Sequence, residues 1–200
     1  GDGYPDGVEV EFGSDPADAD DGIYVGGWPY QSDKDSFDGP TYEDAAAPAK
    51  GVKFPRIQFM DLHGDTFDLY DLAGHGKPVL VDVSAVWCGP CTALSQLLST
   101  GTGGFAGSYP NMKSKVDNEE LYWVTILGED SQGTPNPSVD VLHQWDERYF
   151  NENVPVVSTP EAFNNVRGGW PTVFYLDSDR VILVLPGSDH WAAMKRADSE

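Results

Sequence analysis

The stretch Val79-Leu80-Val81-Asp82-Val83-Ser84-Ala85-Val86-Trp87-Cys88-Gly89-Pro90-Cys91 decides how this chain is read, because an apolar β-type run ends there in the protein's only two cysteines. Val79 to Val83 is short, β-branched and broken by a single charge, Asp82, the pattern of a strand buried on both faces of a sheet. After Cys91, Leu94, Leu97 and Leu98 recur at helical spacing, so the cysteines fall where a strand's carboxyl end turns into a helix. A thiol at a helix N-terminus faces unpaired backbone N–H groups and the positive end of the helix dipole, and both favour the thiolate. Cys88 is therefore the expected nucleophile. Cys91, about one helical turn further on, can attack a mixed disulfide on Cys88 and release the product, so the pair can act as a reversible two-electron switch.

A Cys-x-x-Cys pair has other uses. Half a zinc site is one, but a structural site needs four ligands, and His63, His75, His143 and His190 are scattered without paired spacing. A structural disulfide is another, although bridging so short a loop removes little entropy from the unfolded chain. Redox chemistry is the reading the pattern favours.

Trp87-Cys88-Gly89-Pro90-Cys91 resembles the active-site motif of thioredoxins, and Lys77-Pro78-Val79-Leu80-Val81 before it resembles the extracytoplasmic, TlpA-like branch of thioredoxin-fold oxidoreductases. Asp82, six residues before Cys88, stands where that family carries a buried acid that helps deprotonate the second cysteine. Gly169-Trp170-Pro171-Thr172-Val173-Phe174-Tyr175-Leu176 resembles the family's cis-proline loop entering a core strand. The resemblance covers roughly residues 54–187. It implies an α/β, thioredoxin-like fold: a central mixed β-sheet flanked by helices, with an N-terminal β-hairpin and an irregular acidic extension. It also implies catalytic roles for Cys88, Cys91, Asp82 and Pro171, and substrate contacts from Trp87, Gly89, Pro90 and Trp170. Trp170 departs from the family, in which smaller residues precede this proline. Burial should raise the pKa of Asp82, as a proton acceptor near neutral pH requires.

Composition narrows the rest. The chain has 200 residues, enough for one α/β domain and an extra segment, and a formal net charge of −21. That charge argues against nucleic acid and anionic membranes as partners and favours basic proteins or divalent cations. No apolar run reaches the length of a membrane span, and no signal peptide is visible. Residues 1–50 hold 13 acidic and 2 basic residues, a composition that cannot fold alone.

Gly1-Asp2-Gly3-Tyr4-Pro5-Asp6-Gly7-Val8-Glu9 reads like the second half of a calcium loop, with Asp2, Asp6 and Glu9 as carboxylate ligands and Tyr4 offering its carbonyl. With the acidic residues up to Gly22 it resembles the end of a thrombospondin type 3-like calcium repeat. A solvated acidic linker is the alternative. The motif would begin upstream of Gly1, where an expected lipid or membrane anchor would also lie. Residues 1–52 are thus read as a calcium-repeat-like segment and linker, strapped on by Ile23, Tyr24, Val25, Trp28 and Tyr30, and residues 53–200 as a thioredoxin-like domain.

Within the domain, the sequence predicts a hairpin of Phe54–Leu62 and Thr66–Leu69 around His63-Gly64-Asp65, which again resembles the TlpA-like branch. It predicts a helix to about Ser99, a mobile glycine-rich loop over 100–109, and a core strand from Leu121 to Leu127. Ser138 should cap a helix carrying Val141, Leu142, Trp145 and Tyr149, and Val154–Val157 should be a short strand. Thr159-Pro160-Glu161 reads as a helix start, Pro171–Leu176 and Arg180–Leu185 as a hairpin, and Ser188 as the opening of a last helix.

The function implied is thiol:disulfide exchange that reduces protein disulfides. The Gly-Pro dipeptide is that of thioredoxin, at about −270 mV, against about −120 mV for the oxidant DsbA. The alternatives are a thiol peroxidase, against which Ala85 stands where peroxiredoxins carry a threonine, and a calcium-stabilised, non-catalytic surface module. No cofactor is expected beyond the Cys88–Cys91 disulfide, apart from calcium at the N-terminus. The expected partners are protein thiols or disulfides and an upstream electron donor. The resemblance implies a bacterial periplasm or cell envelope, and a monomer is expected.

Overall fold

The computed structural model describes residues 7, 9–10, 16–17, 23–41, 47–158, 169–187 and 189–200. Its centre is β3 (Val79–Ala85), in which all seven residues are buried. β4 (Tyr122–Glu129) pairs with it in parallel, Asp82 opposite Thr125, and β6 (Thr172–Leu176) pairs with it antiparallel, Asp82 opposite Val173. With β1 (Gln58–Asp61), β2 (Thr66–Asp68), β5 (Val156–Ser158) and β7 (Ile182–Val184), these form one seven-stranded mixed sheet ordered β2-β1-β5-β4-β3-β6-β7. Burial of β3 on both faces explains why its sequence is apolar on both sides of the strand, Asp82 and Ser84 excepted, instead of alternating.

Helices cover both faces. On one side Leu80, Trp123, Val173 and Tyr175 pack with Leu94, Leu97 and Leu98 of α1 (Gly89–Thr100), Met112 and Val116 of α2 (Met112–Asp117) and Met194 of α4 (Ala192–Ser199). On the other, Val81, Val83, Ile126 and Phe174 share a cluster with Leu142 and Trp145 of α3 (Val139–Tyr149). Tyr24 and Trp28 are buried in that second cluster, so residues 23–41 lie on the sheet domain as a strap, while Val25, expected as an anchor, is 73% exposed. The strap is tied by buried carboxyls. Trp28 Nε1 donates to Asp61 Oδ2 at 2.8 Å, and Asp71 accepts from the Tyr24 hydroxyl, Gln31 N–H and Lys34 Nζ.

Several boundaries differ from those the sequence predicts. The hairpin forms, but β1 begins at Gln58: Lys53 bridges Val181, Arg56 bridges Thr41, and Pro55 has no N–H to offer. Its turn is held by Asp61 Oδ1, which accepts from the N–H of His63 and Asp65 at 2.8 Å each, and Gly64 takes φ +88°. β2 stops at Asp68 because that carboxylate caps a 3-10 turn at Tyr70 N–H, 2.9 Å away. The glycine-rich segment 100–109, expected to be mobile, is anchored by buried Tyr109 and by Phe105, whose ring lies 4.7 Å from that of Trp191. α2 was not expected; it is six residues long and shows only Met112 and Val116 as an apolar pair. Ser138 sits at the N-cap of α3 without a side-chain capping bond; its carbonyl accepts from Val141 and Leu142 instead. The helix start at 159–161 and Ser188 lie outside the described residues.

Candidate active site

The carboxyl end of β3 leads through Val86 and Trp87 into α1, whose N-cap residue is Cys88. Cys88 has extended backbone angles, its Sγ accepts from the backbone N–H of Cys91 at 3.2 Å, and Pro90 occupies the first helical turn, where no N–H is needed. Cys88 and Cys91 are joined by a disulfide with Cα atoms 5.2 Å apart. Both are buried, whereas Gly89 and Pro90 are exposed.

The antiparallel register of β6 on β3, Thr172 opposite Val83, carries the preceding residues to the same end of the sheet as the disulfide. There the Trp170–Pro171 peptide bond is cis, and Thr172 Oγ1 donates to Gly169 O at 2.9 Å. Trp170 lies against the backbone of Gly128 at the end of β4. A Cβ at position 128 would stand 2.3 Å from the indole, so only glycine allows this approach. The Trp170 and Trp87 rings meet edge-to-face with centroids 6.4 Å apart. Trp87 remains 52% exposed, and its Nε1 donates to Glu129 Oε2 at 2.9 Å. On the other flank a cavity of about 330 Å³ opens between Val86, Thr92, Asp130, Trp145, Arg148 and Tyr149.

Cys88, Cys91, Trp87, Gly89, Pro90, Trp170 and Pro171 thus gather at one end of the sheet. Gly128 and Glu129, which seat the two indoles, were missed, because the sequence reads as strand only to Leu127 and the last two residues of β4 carry no pattern that links them to an indole. Asp82 lies inside, in the middle of β3. Its Oδ1 accepts from Ser84 Oγ at 2.8 Å, its Oδ2 has no hydrogen-bond partner among the described residues, and burial pushes its pKa up to about 7. Of the proposed calcium ligands, Asp2 and Asp6 lie outside the described residues and Glu9 is buried. Among the described residues no group of three or more His, Cys, Asp or Glu is placed to hold a metal, and no helix is long and apolar enough to cross a membrane.

The raised pKa of Asp82 gives stability a definite pH dependence. Between the ordinary carboxyl value of 3.8 and about 7, the folded state holds a proton that the unfolded state has lost, so stability is fully present below 3.8 and falls as pH rises through 7. In Asp82→Asn this decline, roughly 2–4 kcal/mol, should disappear from urea unfolding curves recorded from pH 5 to 8. An unchanged decline in the variant would assign it to other groups.

These features define a thioredoxin-like α/β fold with a Cys-Gly-Pro-Cys disulfide at the N-terminus of α1. It is similar to the thioredoxin domain of a thiol-disulfide oxidoreductase from Bacteroides vulgatus, with a TM-score of 0.53 at 15% identity over 75% of this chain and 95% of that one. By sequence, the chain is 29% identical over 128 residues to the thiol:disulfide interchange protein DsbE of Yersinia pestis, covering 62% of this chain and 61% of that protein. It is also 42% identical over 41 residues to the H-type thioredoxin of Chlamydomonas reinhardtii, 20% of this chain and 36% of that one. The chain therefore spans less than two thirds of either curated relative. No protein-family model matches it.

Proposed function

We propose that this chain is a thiol:disulfide oxidoreductase that reduces protein disulfides. The observation that carries the reading is Cys88 as the N-cap of α1, its sulfur taking the Cys91 N–H at 3.2 Å beside the Pro171 loop. In the dithiol form that N–H and the helix dipole favour a Cys88 thiolate. The thiolate attacks a substrate disulfide, forms a mixed disulfide and expels one thiolate; Cys91 then attacks Cys88 Sγ and expels the other. A substrate polypeptide lying along the backbone beside Pro171, with Trp87 and Trp170 on its flank, would present its disulfide to Cys88. The Gly-Pro dipeptide supports reduction as the direction. The similarity to DsbE and the β1–β2 hairpin support a TlpA-like protein acting outside the cytoplasm and recharged by a dithiol donor.

The test is insulin reduction. The dithiol form should precipitate the insulin B chain in the presence of dithiothreitol at a rate well above dithiothreitol alone, and Cys88→Ser should give the background rate. Equal rates for both proteins would sink the proposal. The calcium reading of Asp2, Asp6 and Glu9 is a separate proposal that rests on the sequence. Calorimetric titration with calcium tests it, and an absence of saturable heat would remove it.

A further inference from the structure

Buried side-chain atoms without a hydrogen-bond partner include Asp82 Oδ2 on β3 and Ser95 Oγ on α1, the two elements that meet at the redox pair. A polar atom buried without a partner destabilises the fold, so two of them in one helix–sheet layer point to a use for both.

In the disulfide form neither atom bonds the other or a cysteine sulfur, but the fold sets both in one layer. Cys91, Leu94, Ser95 and Leu98 form one buried stripe on α1, and Ser95 is its polar member below Cys91. The stripe's leucines pack in one cluster with Leu80 of β3, and strand alternation puts Asp82 on the same face as Leu80. β3 runs up to the disulfide and α1 runs back down. Four helical residues descend about 6 Å and two strand residues about 6.6 Å. Ser95 therefore lies one turn beneath Cys91, on the side of α1 that covers the face of β3 carrying Asp82. Asp82 Oδ1 is already taken by Ser84, which leaves Oδ2 as the unpartnered oxygen. No charged group competes in this layer among the described residues. β4 and β6 place Thr125 and Val173 beside Asp82, α2 brings Met112 and Val116, and α4 brings Ala193, Met194 and Ala197.

We propose that Ser95 is the proton-relay residue between the Cys91 thiol and Asp82. The inference rests on the oxidoreductase reading above. A hydroxyl both accepts and donates, so it can pass a proton and end in its starting state. Once Cys88 holds the substrate as a mixed disulfide, the Cys91 proton moves to Ser95 Oγ while the Ser95 proton moves to Asp82 Oδ2. The Cys91 thiolate forms a bond to Cys88 Sγ, and the bond from Cys88 Sγ to the substrate sulfur breaks. The substrate leaves as a thiolate, reduced, and the protein becomes the disulfide.

Rapid mixing of the reduced protein with a small aromatic disulfide, followed by acid quench and mass spectrometry, follows mixed-disulfide formation and resolution separately. In Ser95→Ala, resolution should slow about 10-fold or more near pH 7. The deficit should close at alkaline pH, where Cys91 ionises unaided, and Ser95→Thr should restore the rate. In an Asp82→Asn background Ser95→Ala should add little, because the two act in series. A deficit independent of pH, or one that adds fully to Asp82→Asn, would reduce Ser95 to a packing residue. Reduced wild-type protein that neither forms a mixed disulfide nor releases the aromatic thiol would overturn the oxidoreductase reading itself, leaving the relay nothing to serve.

Discussion

Reduced protein carrying Cys91→Ser should accumulate covalent complexes with disulfide-containing polypeptides that survive denaturing gels and vanish on adding dithiothreitol. The expectation follows from the unequal places of the two sulfurs. Cys88 caps α1 and is flanked by exposed Gly89, Pro90 and Trp87, whereas Cys91 is fully buried one turn inside the helix. An external thiol cannot readily replace it. Intramolecular attack by a positioned group reaches effective molarities of about 10⁵ M or more, so millimolar external thiol should resolve the trapped complex slower by at least about 10³-fold. Cys88→Ser should trap nothing, since the remaining sulfur has no exposed surface. Gel shifts with both variants against an oxidised model protein measure this. Trapping by Cys88→Ser and none by Cys91→Ser would reverse the assigned roles.

That asymmetry was legible in the sequence, because it depends on local rules. A continuous apolar run from Val79 to Val83 predicts a doubly buried strand, and Leu94, Leu97 and Leu98 predict the helix after it, so the cysteines had to lie at a helix N-terminus. Asp82 was found by the same means, as the one charge in the run. The parts that stayed hidden depend on contacts distant in sequence. Gly128 carries no sign that an indole 42 positions away will rest on its backbone, and Glu129 none that it will accept from Trp87. Ser95 looks like any small helical polar residue until the burial of its neighbours is known. α2 was missed because six residues with one apolar pair fall below what periodicity can register. β1 was drawn too long because Phe54 to Arg56 has strand composition but pairs outside the hairpin.

Trp28→Ala should be the most destabilising substitution in the acidic N-terminal quarter, at about 3–5 kcal/mol in the oxidised protein. Most of that segment is too polar to contribute to a core, yet Trp28 is only 5% exposed and packs in the same cluster as the β3 and β4 valines. Removing it leaves a cavity, and it also leaves Asp61 Oδ2 without the indole N–H that reaches it at 2.8 Å. Asp61 Oδ1 is committed to the hairpin turn through His63 and Asp65, so losing the indole also loosens the end of β1. Trp28→Phe separates the two effects, since it keeps most of the apolar volume and removes only the donor; about 1–3 kcal/mol should be lost. Urea unfolding followed by far-UV circular dichroism measures both. The midpoint should fall in the order wild type, Trp28→Phe, Trp28→Ala with an unchanged denaturant slope, because a strap packed into the common core unfolds with it. A change below about 0.5 kcal/mol for Trp28→Ala, the range of ordinary surface substitutions, would mean that the strap does not contribute to the domain's stability and that the Asp61 and Asp71 contacts hold a segment the core does not need.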